Sequence, residues 1–288
     1  MIKVAVLGAN GQLGSDLLQT LKGAKGIEVT PLTRSDVDVE DLSTLGERLS
    51  GMAFDYLINC TSYHKTDECE DYPEKTFRVN SVAVNEMAKA CHRLGKVFVH
   101  FSTDYVFDGA KGTPYTEEDC TSALNVYGAS KAAGEQLIRA AHDRYFMFRV
   151  SSLFGVAGSS GKGGNFVETM IRLAREGKPM KVVDDQIMSP THTLEIARAV
   201  TRFIEEGIDA YGVYHCAGTG ATSWYRFTVA IMERLGLRPE LSPVRSSEFK
   251  VKAKRPAYSV LDHTKLDRVY KMPRWEESLD EYLQLKGY

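Results

Sequence analysis

The chain has 288 residues, of which 43% are hydrophobic and 26% charged, as is typical of globular proteins. Its formal net charge of −2 lacks the basic excess of nucleic-acid-binding proteins. No apolar run approaches the roughly 20 residues that span a bilayer, and the strand-like start "MIKVAVLGAN" leaves no room for a signal peptide. The cysteines are scattered, without the spacing of a metal or redox site. We therefore expect a cytoplasmic protein with reduced thiols and neither nucleic-acid nor membrane partners.

Short apolar runs alternate with stretches of helical period along the first half of the chain. "KVAVLG" precedes "GSDLLQTLKG", "FDYLINC" precedes a helical stretch at 73–95, and "KVFVHFS" precedes a helix at 125–141. Strands separated by helical crossovers are typical of a parallel sheet with helices on both faces. Residues 1–150 are therefore predicted to form an α/β fold, a Rossmann-type doubly wound parallel sheet.

The alternation loosens after about residue 150. The loop "GVAGSSGKGGNF" is followed by helical patterns near 165–176, 193–206, 223–235 and 276–285, joined by short strands. Residues 151–288 are predicted to form mainly a smaller α/β substrate-binding lobe, with some later segments packing back onto the sheet.

The stretch "LGANGQLG" places Gly8, Gly11 and Gly14 between the first strand and the first helix. Glycines there permit a tight turn and let a pyrophosphate approach the helix N-terminus, where free N–H groups favour anions. The alternative is a turn that only needs positive φ. Their location after the first strand favours a dinucleotide-binding loop.

The end of the second strand indicates which dinucleotide binds. NAD sites usually carry an acid there for the ribose 2′-hydroxyl, whereas an arginine accommodates the 2′-phosphate of NADP. Here no acid ends the strand and Arg34 lies just beyond it, which favours NADPH and leaves NADH possible. Arg34 as an ordinary surface charge is the alternative. Asp38 and Val39, in the next loop, are candidate adenine contacts.

Tyr127 and Lys131 lie one helical turn apart, on one face of the helix after the strand that ends at Thr103. A phenol with a pKa of about 10 is a poor acid near neutrality. A nearby ammonium, a cationic nicotinamide ring and a helix N-terminus would each lower that pKa. Tyr127 could then protonate a carbonyl oxygen, with Thr103 hydrogen-bonding the same oxygen. Tyr127 and Lys131 would also contact the cofactor, with Lys131 holding its ribose hydroxyls. Tyr282 and Lys286 repeat the spacing without such surroundings and are predicted to be a surface pair.

Several segments together resemble the dTDP-4-dehydrorhamnose reductase family of the extended short-chain dehydrogenase/reductases. They are "GANGQLG", "STDYVFDG", "NVYGASKAAGE", "DDQIMSPT" and "KRPAYSVL". The resemblance implies NADPH-dependent reduction of the 4-keto group of dTDP-4-dehydro-L-rhamnose, with Thr103, Tyr127 and Lys131 as the catalytic residues. It also implies a set of cofactor contacts: Gly8, Asn10, Gly11, Gln12, Leu13, Cys60, Thr61, Ser62 and Asn80, with residues 60–62 after the family's fourth strand.

Differences from the family pattern concern the substrate side. Asp104 and Tyr105 follow Thr103, and Tyr105 replaces the glutamate that related sugar-nucleotide dehydratases carry there. Ser152 stands where the family has a tryptophan, and Met188 where it has a glycine. All four positions are predicted to contact substrate, and the replacements at Ser152 and Met188 put the identity of the sugar in doubt.

A basic segment, "KVKAKRP", resembles the part of the family that approaches the nucleotide diphosphate. Arg255 and Lys254 are its candidate contacts, because anionic phosphates need compensating charge. Trp224 is predicted to pack within its helix. Some family members bind magnesium between subunits through glutamates; the corresponding first-helix residue is Ser15, so no metal is expected.

Two other functions stay open. One is a reductase of a different nucleotide-linked 4-keto-6-deoxy sugar. The other is a non-catalytic, NADP-binding subunit similar to the regulatory subunit of methionine adenosyltransferase, although an intact Thr103–Tyr127–Lys131 set favours catalysis. A homodimer is also possible.

Overall fold

The computed structural model describes residues 1–158 and 164–288. Its main sheet is built from six parallel strands. They are β1 (Ile2–Leu7), β2 (Ile27–Leu32), β3 (Tyr56–Asn59), β4 (Val97–Thr103), β5 (Tyr145–Val150) and β10 (Gly212–His215). Their spatial order is β10-β5-β4-β3-β1-β2. Successive strands are added on one side of β1 and then on the other, so the strand order reverses between β1 and β3. Ligands bind at such a reversal, outside the carboxyl ends of the strands.

Ten α-helices surround the sheet or build the second lobe within the described residues. They are α1 (Gln12–Gly23), α2 (Leu42–Ser50), α3 (Thr66–Asp71), α4 (Pro73–Phe77), α5 (Ala83–Leu94), α6 (Val126–Ala141), α7 (Phe166–Arg175), α8 (Thr193–Glu205), α9 (Trp224–Arg234) and α10 (Trp275–Leu285). A π-helical turn at Arg78–Val82 joins α4 to α5. Two apolar cores cover the two faces of the sheet, one containing α1 and α8 and the other α2 and α5. The predicted doubly wound fold is therefore confirmed.

The helices that frame the site begin at side-chain caps. Asn125 Oδ1 accepts from the backbone N–H of Gly128 at 2.8 Å, and Asn165 Oδ1 accepts from that of Glu168 at 3.0 Å. Such a cap satisfies one of the free N–H groups of the first turn. The starts of α6 and α7 are therefore set by the local sequence, within a residue or two of the predicted positions.

The smaller lobe has its own apolar core, formed by α7, α9, α10 and short paired strands. The pairs are β6 (Leu153–Phe154) with β9 (Thr191–His192), β7 (Met180–Val183) with β12 (Leu241–Val244), and β8 (Ile187–Met188) with β11 (Thr222–Ser223). β10 and α8 return from this half of the chain to the main sheet and its core. The division at residue 150 stays a prediction. Part of the predicted loop at 155–166 lies outside the described residues.

The predicted surface pair at the end of the chain is wrong for Tyr282. Its side chain is fully buried in the core of the smaller lobe. Its hydroxyl donates to Glu168 at 2.5 Å and accepts from Asn165 Nδ2 at 3.0 Å. The hydroxyl can be buried because both its donor and its acceptor capacity are used.

Across the described part of the chain, no helix combines the length and apolar character needed to cross a membrane.

Candidate active site

A cleft of about 910 Å³ lies at the carboxyl edge of the sheet, between the main sheet and the smaller lobe. It brings together most of the residues predicted from sequence. Those that line it are Gly8, Asn10, Gly11, Gln12, Leu13, Arg34, Asp38, Val39, Cys60, Thr61, Ser62, Thr103, Asp104, Tyr105, Tyr127, Lys131, Ser152 and Arg255.

The glycine loop turns tightly just before the N-terminus of α1. Gly8 has φ of +76°, and a Cβ at Gly14 would lie 2.2 Å from the Gly8 carbonyl oxygen. A side chain at either position is therefore strained or excluded. Gly11 caps α1 without a side-chain hydrogen bond, so N–H groups of the first turn are available to an anion. The tight turn and these N–H groups fit a bound pyrophosphate.

Arg34 lies just beyond β2, as predicted, and its side chain is 71% exposed. Its guanidinium contacts Asp38 at 3.3 Å and Glu40 at 3.0 Å. Exposed ion pairs of this kind contribute little stability. The guanidinium is therefore positioned at the edge of the cleft and can exchange these carboxylates for a phosphate.

The wall beside the glycine loop follows β3, and a Cβ at Gly8 would lie 3.2 Å from the Cys60 carbonyl carbon. β3 is the third strand in chain order, whereas the resemblance implied the family's fourth. Cys60 lines the cleft, and burial raises the pKa of its thiol. Asn80 does not line the cleft, in contrast to its predicted cofactor contact. Its Oδ1 accepts from Ser62 Oγ at 3.1 Å and from the backbone N–H of Tyr63 at 2.9 Å. Asn80 thus supports the wall from behind.

Tyr127 and Thr103 meet as predicted at the start of α6 and the end of β4. Burial raises the pKa of the Tyr127 hydroxyl above its ordinary value, and the nearby hydroxyls of Thr103 and Ser62 oppose this only in part. The sequence predicted a lowered pKa. The difference arises because desolvation of the phenolate is the largest influence here. Tyr127 is consequently protonated at neutral pH, as a proton donor must be.

Lys131 is buried and reaches under the cleft. Its Nζ contacts His100 Nε2 at 3.0 Å and donates to the Phe101 carbonyl oxygen at 2.5 Å. Burial lowers the pKa of Lys131 to about 7, although Glu135 opposes the shift. The contact of His100 with Lys131 was not predicted: the sequence indicates only a hydrogen-bonded structural histidine near a strand end.

Asp104 and Tyr105 continue from Thr103 into a 3₁₀ turn at the floor of the cleft. Burial raises the pKa of Asp104 to about 6, even though Ser259, Ser151 and Thr103 hydrogen-bond its carboxyl group. The Tyr105 ring lies edge-on to that of Tyr127, with centroids 6.1 Å apart. These contacts fix the floor of the cleft beneath the predicted catalytic residues.

Ser152 lines the cleft and has a φ of +47°. Among the described residues, it is the only non-glycine residue with a positive φ. A residue with a Cβ adopts this region at a cost of about 1 kcal/mol or more. The backbone is therefore strained at the position where the family carries a tryptophan.

Two other predicted substrate contacts do not line the cleft. Met188 is buried in the core of the smaller lobe, because its strand β8 pairs with β11. Lys254 is exposed, and only its backbone oxygen is used, as the acceptor for Asn125 Nδ2 at 2.7 Å. Arg255 does line the cleft, but its guanidinium already donates to Asp67 Oδ2 at 2.7 Å. The charge of Arg255 is thus partly compensated within the protein.

Aromatic residues of the smaller lobe complete the cleft and were missed in the sequence. Trp224 and Phe166 both line it, with ring centroids 4.6 Å apart. Trp224 was predicted only to pack within its helix. The pair comes from the first residues of α9 and α7, and only the packing of those helices brings it to the cleft. The two ring planes are inclined by 50°, and together they form an aromatic wall of the cleft.

One cluster of potential metal ligands lies among the described residues, outside the cleft-lining set. The ligand atoms of His92, His142 and Asp143 lie within 4.8 Å of one another. His142 Nε2 contacts the Lys96 carbonyl oxygen at 2.8 Å. The predicted absence of a metal stays a prediction.

The class of protein follows from the fold and the site together. A doubly wound sheet, a glycine loop after β1 and a Thr–Tyr–Lys group at the carboxyl edge define an extended short-chain dehydrogenase/reductase. The chain matches the RmlD substrate binding domain family over residues 2–286, and it belongs to that family.

The chain is similar to several relatives over nearly its full length. The chain is 39% identical to the spore coat polysaccharide biosynthesis protein SpsK of Bacillus subtilis, over 99% of this chain and 98% of that one. It is 36% identical to a dTDP-4-dehydrorhamnose reductase of Burkholderia thailandensis, over 95% of both chains. A dTDP-4-dehydrorhamnose reductase structure from Clostridium acetobutylicum covers both chains completely, with a TM-score of 0.93 and 35% identity.

A second solved structure bears on the cofactor. It is a dTDP-4-dehydrorhamnose reductase from Bacillus anthracis in complex with NADP, 34% identical, with a TM-score of 0.92 over 99% of this chain and 100% of that one. These matches confirm the predicted family and oxidoreductase class. The predicted NADP-type cofactor agrees with them.

Proposed function

We propose that this chain reduces the 4-keto group of dTDP-4-dehydro-L-rhamnose with NADPH, forming dTDP-L-rhamnose. The observation that carries the proposal is the convergence of Thr103, Tyr127 and Lys131 with the glycine loop in one cleft. Relatives with full-length similarity that are named dTDP-4-dehydrorhamnose reductase support the choice of substrate.

The residues of the glycine loop and Arg34 would hold the cofactor, with the pyrophosphate at the N-terminus of α1. Bound NADPH supplies the hydride for the keto carbon. Tyr127 donates its hydroxyl proton to the keto oxygen, and general acid catalysis of this kind contributes typically about 10²–10⁴-fold in rate. Thr103 donates a hydrogen bond to the same oxygen. Lys131, as an ammonium, holds the ribose hydroxyls and stabilises the phenolate that Tyr127 leaves behind.

Substrate would enter from the side of the smaller lobe. Trp224 and Phe166 present an aromatic surface there. Of the two predicted diphosphate contacts, Arg255 is the one that lines the cleft. Because Arg255 is paired with Asp67, a diphosphate would have to displace that carboxylate or share the guanidinium with it.

The proposal is tested by following NADPH oxidation with dTDP-4-dehydro-L-rhamnose, in the wild type and in Tyr127→Phe. We expect kcat to fall by about 10²–10⁴-fold in the variant, with NADPH binding retained in a fluorescence titration. Tyr72→Phe is the matched control, because Tyr72 is 55% exposed and lies outside the cleft-lining set. Undiminished turnover in Tyr127→Phe would refute the assigned role of the tyrosine.

A second candidate is a reductase of a different nucleotide-linked 4-keto-6-deoxy sugar. The strained Ser152 favours it, because the family's tryptophan is absent at a position that lines the cleft. A wild type that binds NADPH but does not turn over dTDP-4-dehydro-L-rhamnose would support this candidate over the first.

A further inference from the structure

A chain of three buried polar side chains runs beneath the cleft and ends at Lys131. It begins at Asn59, the last residue of β3, and passes through His100 in β4 to Lys131 in α6; each is at most 2% exposed. Asn59 Nδ2 lies 3.2 Å from His100 Nδ1, and His100 Nε2 lies 3.0 Å from Lys131 Nζ.

The direction of every hydrogen bond in this chain is set at its first member. The backbone N–H of Thr61 donates to Asn59 Oδ1 at 2.9 Å, which fixes the orientation of the amide. Asn59 Nδ2 must then donate to His100 Nδ1. A neutral imidazole with an accepting Nδ1 carries its proton on Nε2. His100 Nε2–H therefore points at Lys131 Nζ as a donor.

Lys131 can satisfy this arrangement in only one protonation state. An ammonium has three N–H donors and no lone pair, so it cannot accept from His100. A neutral amine can accept from Nε2–H and still donate to the Phe101 carbonyl oxygen, which lies 2.5 Å away. An imidazolium at His100 is also excluded, because both of its N–H groups would then face donors, Asn59 Nδ2 at one end and Lys131 Nζ at the other.

We propose that His100 is a positioning residue that holds Lys131 as a neutral amine in the free protein, and that dinucleotide binding is coupled to the uptake of one proton by Lys131. The coupling rests on the proposed function, in which Lys131 acts as an ammonium at the cofactor ribose. The proton comes from solvent, forms an N–H bond at Nζ, and leaves Lys131 unable to accept from His100.

The charges around Lys131 agree with this assignment. Glu135, one turn further along α6, raises the pKa of Lys131, but burial lowers it more, to about 7. The Glu135 carboxylate is already bound by the Arg149 guanidinium at 2.7 Å and by Ser102. Burial, the largest influence, holds the pKa of His100 well below its usual value, so the ring is neutral even beside an uncharged Lys131. Tyr127, the other titratable group on this face of α6, is protonated at neutral pH.

The coupling has a measurable consequence. With a free-protein pKa of about 7 for Lys131, roughly 0.9 proton is taken up per bound dinucleotide near pH 8 if the bound ammonium titrates well above that pH. The dissociation constant of NADP⁺ then rises with pH above about 7, by up to about tenfold per pH unit.

The test is isothermal titration calorimetry with NADP⁺ near pH 8, in two buffers of different ionisation enthalpy, which reports proton uptake directly. Asn59→Asp reverses the hydrogen-bond direction: a carboxylate accepts from His100 Nδ1–H, so that Nε2 accepts from an ammonium. We expect uptake close to zero in Asn59→Asp and in Lys131→Met. His142→Gln is the matched control, a buried histidine outside the cleft-lining set, and it should keep the wild-type uptake.

Binding of NADP⁺ by the wild type without proton uptake would overturn the proposal, as would undiminished uptake in Asn59→Asp. If Asn59→Asp does not fold, His100→Gln provides the second variant, because its amide oxygen accepts from an ammonium and should also abolish uptake. None of these measurements involves a sugar. Failure of the coupling is therefore distinguishable from failure of the proposed reductase activity.

Discussion

The ion pair between Glu135 and Arg149 is sealed inside the protein beneath the cleft. Both side chains are at most 1% exposed, and Arg149 donates to the two carboxylate oxygens at 2.9 and 2.7 Å. Ser102, the residue before Thr103, donates to the same carboxylate. Glu135 lies one turn after Lys131. The pair therefore ties β4 and β5 to the helix that carries Tyr127.

Glu135→Gln would leave the Arg149 guanidinium buried without a counter-ion, and one of its N–H groups would face an amide donor. Breaking a buried pair by removing one partner costs about 3–5 kcal/mol. At roughly 2–4 °C per kcal/mol for a domain somewhat smaller than this chain, we expect Tm to fall by about 6–20 °C in thermal melts followed by circular dichroism. Adding Arg149→Met should cost less than the sum of the two single substitutions.

The control is Glu176→Gln, which removes exposed ion pairs with Arg172 and Lys178. Each exposed pair contributes about 0.3–0.5 kcal/mol, so Tm should change by only about 1–4 °C. If Glu135→Gln melted within that small range, the reasoning that desolvation makes this pair indispensable would be refuted.

Three further predictions concern the cleft. Gly128→Ala puts a Cβ 2.1 Å from the Tyr105 carbonyl oxygen, so it should displace α6 and lower both Tm and kcat. The control is Gly23→Ala, whose Cβ would meet nothing within 4 Å and which should be neutral or stabilising in the same assays. The pKa of Asp104 is raised to about 6, so its contribution to stability is present below about pH 4 and is lost as pH rises through 6. Asp104→Asn should therefore gain about 2 kcal/mol relative to the wild type between pH 4.5 and 7.5 in urea melts. A difference independent of pH would contradict this. Arg34→Ala should weaken NADPH about 10- to 100-fold and leave NADH nearly unchanged in fluorescence titrations; equal losses for both would exclude a 2′-phosphate contact.

Predictions that depended on local sequence agree with the structure. The glycines between β1 and α1 and the helix that begins at Val126 lie where they were expected. Thr103 and Tyr127 also meet, because the carboxyl ends of parallel strands and the helices after them share one edge of the sheet.

Predictions of what a side chain touches across the fold were less successful. Met188 and Tyr282 are buried in the smaller lobe, although one was expected at the substrate and the other at the surface. Their environments depend on the pairing of β8 with β11 and on the position of Asn165, which lie far away in the chain. Trp224 likewise reaches the cleft only because α9 packs beside α7, a contact between segments far apart in the chain.

The sequence alone determined the fold class, the nucleotide loop and the Tyr127–Lys131 spacing, because each can be read from residue patterns that are local in the chain. Only the tertiary structure decided the protonation state of Lys131. That state depends on Asn59, His100 and Lys131, which belong to β3, β4 and α6 and meet only when those elements pack. Burial then removes the solvent that would otherwise satisfy each group, so the direction of one amide determines the charge of the lysine.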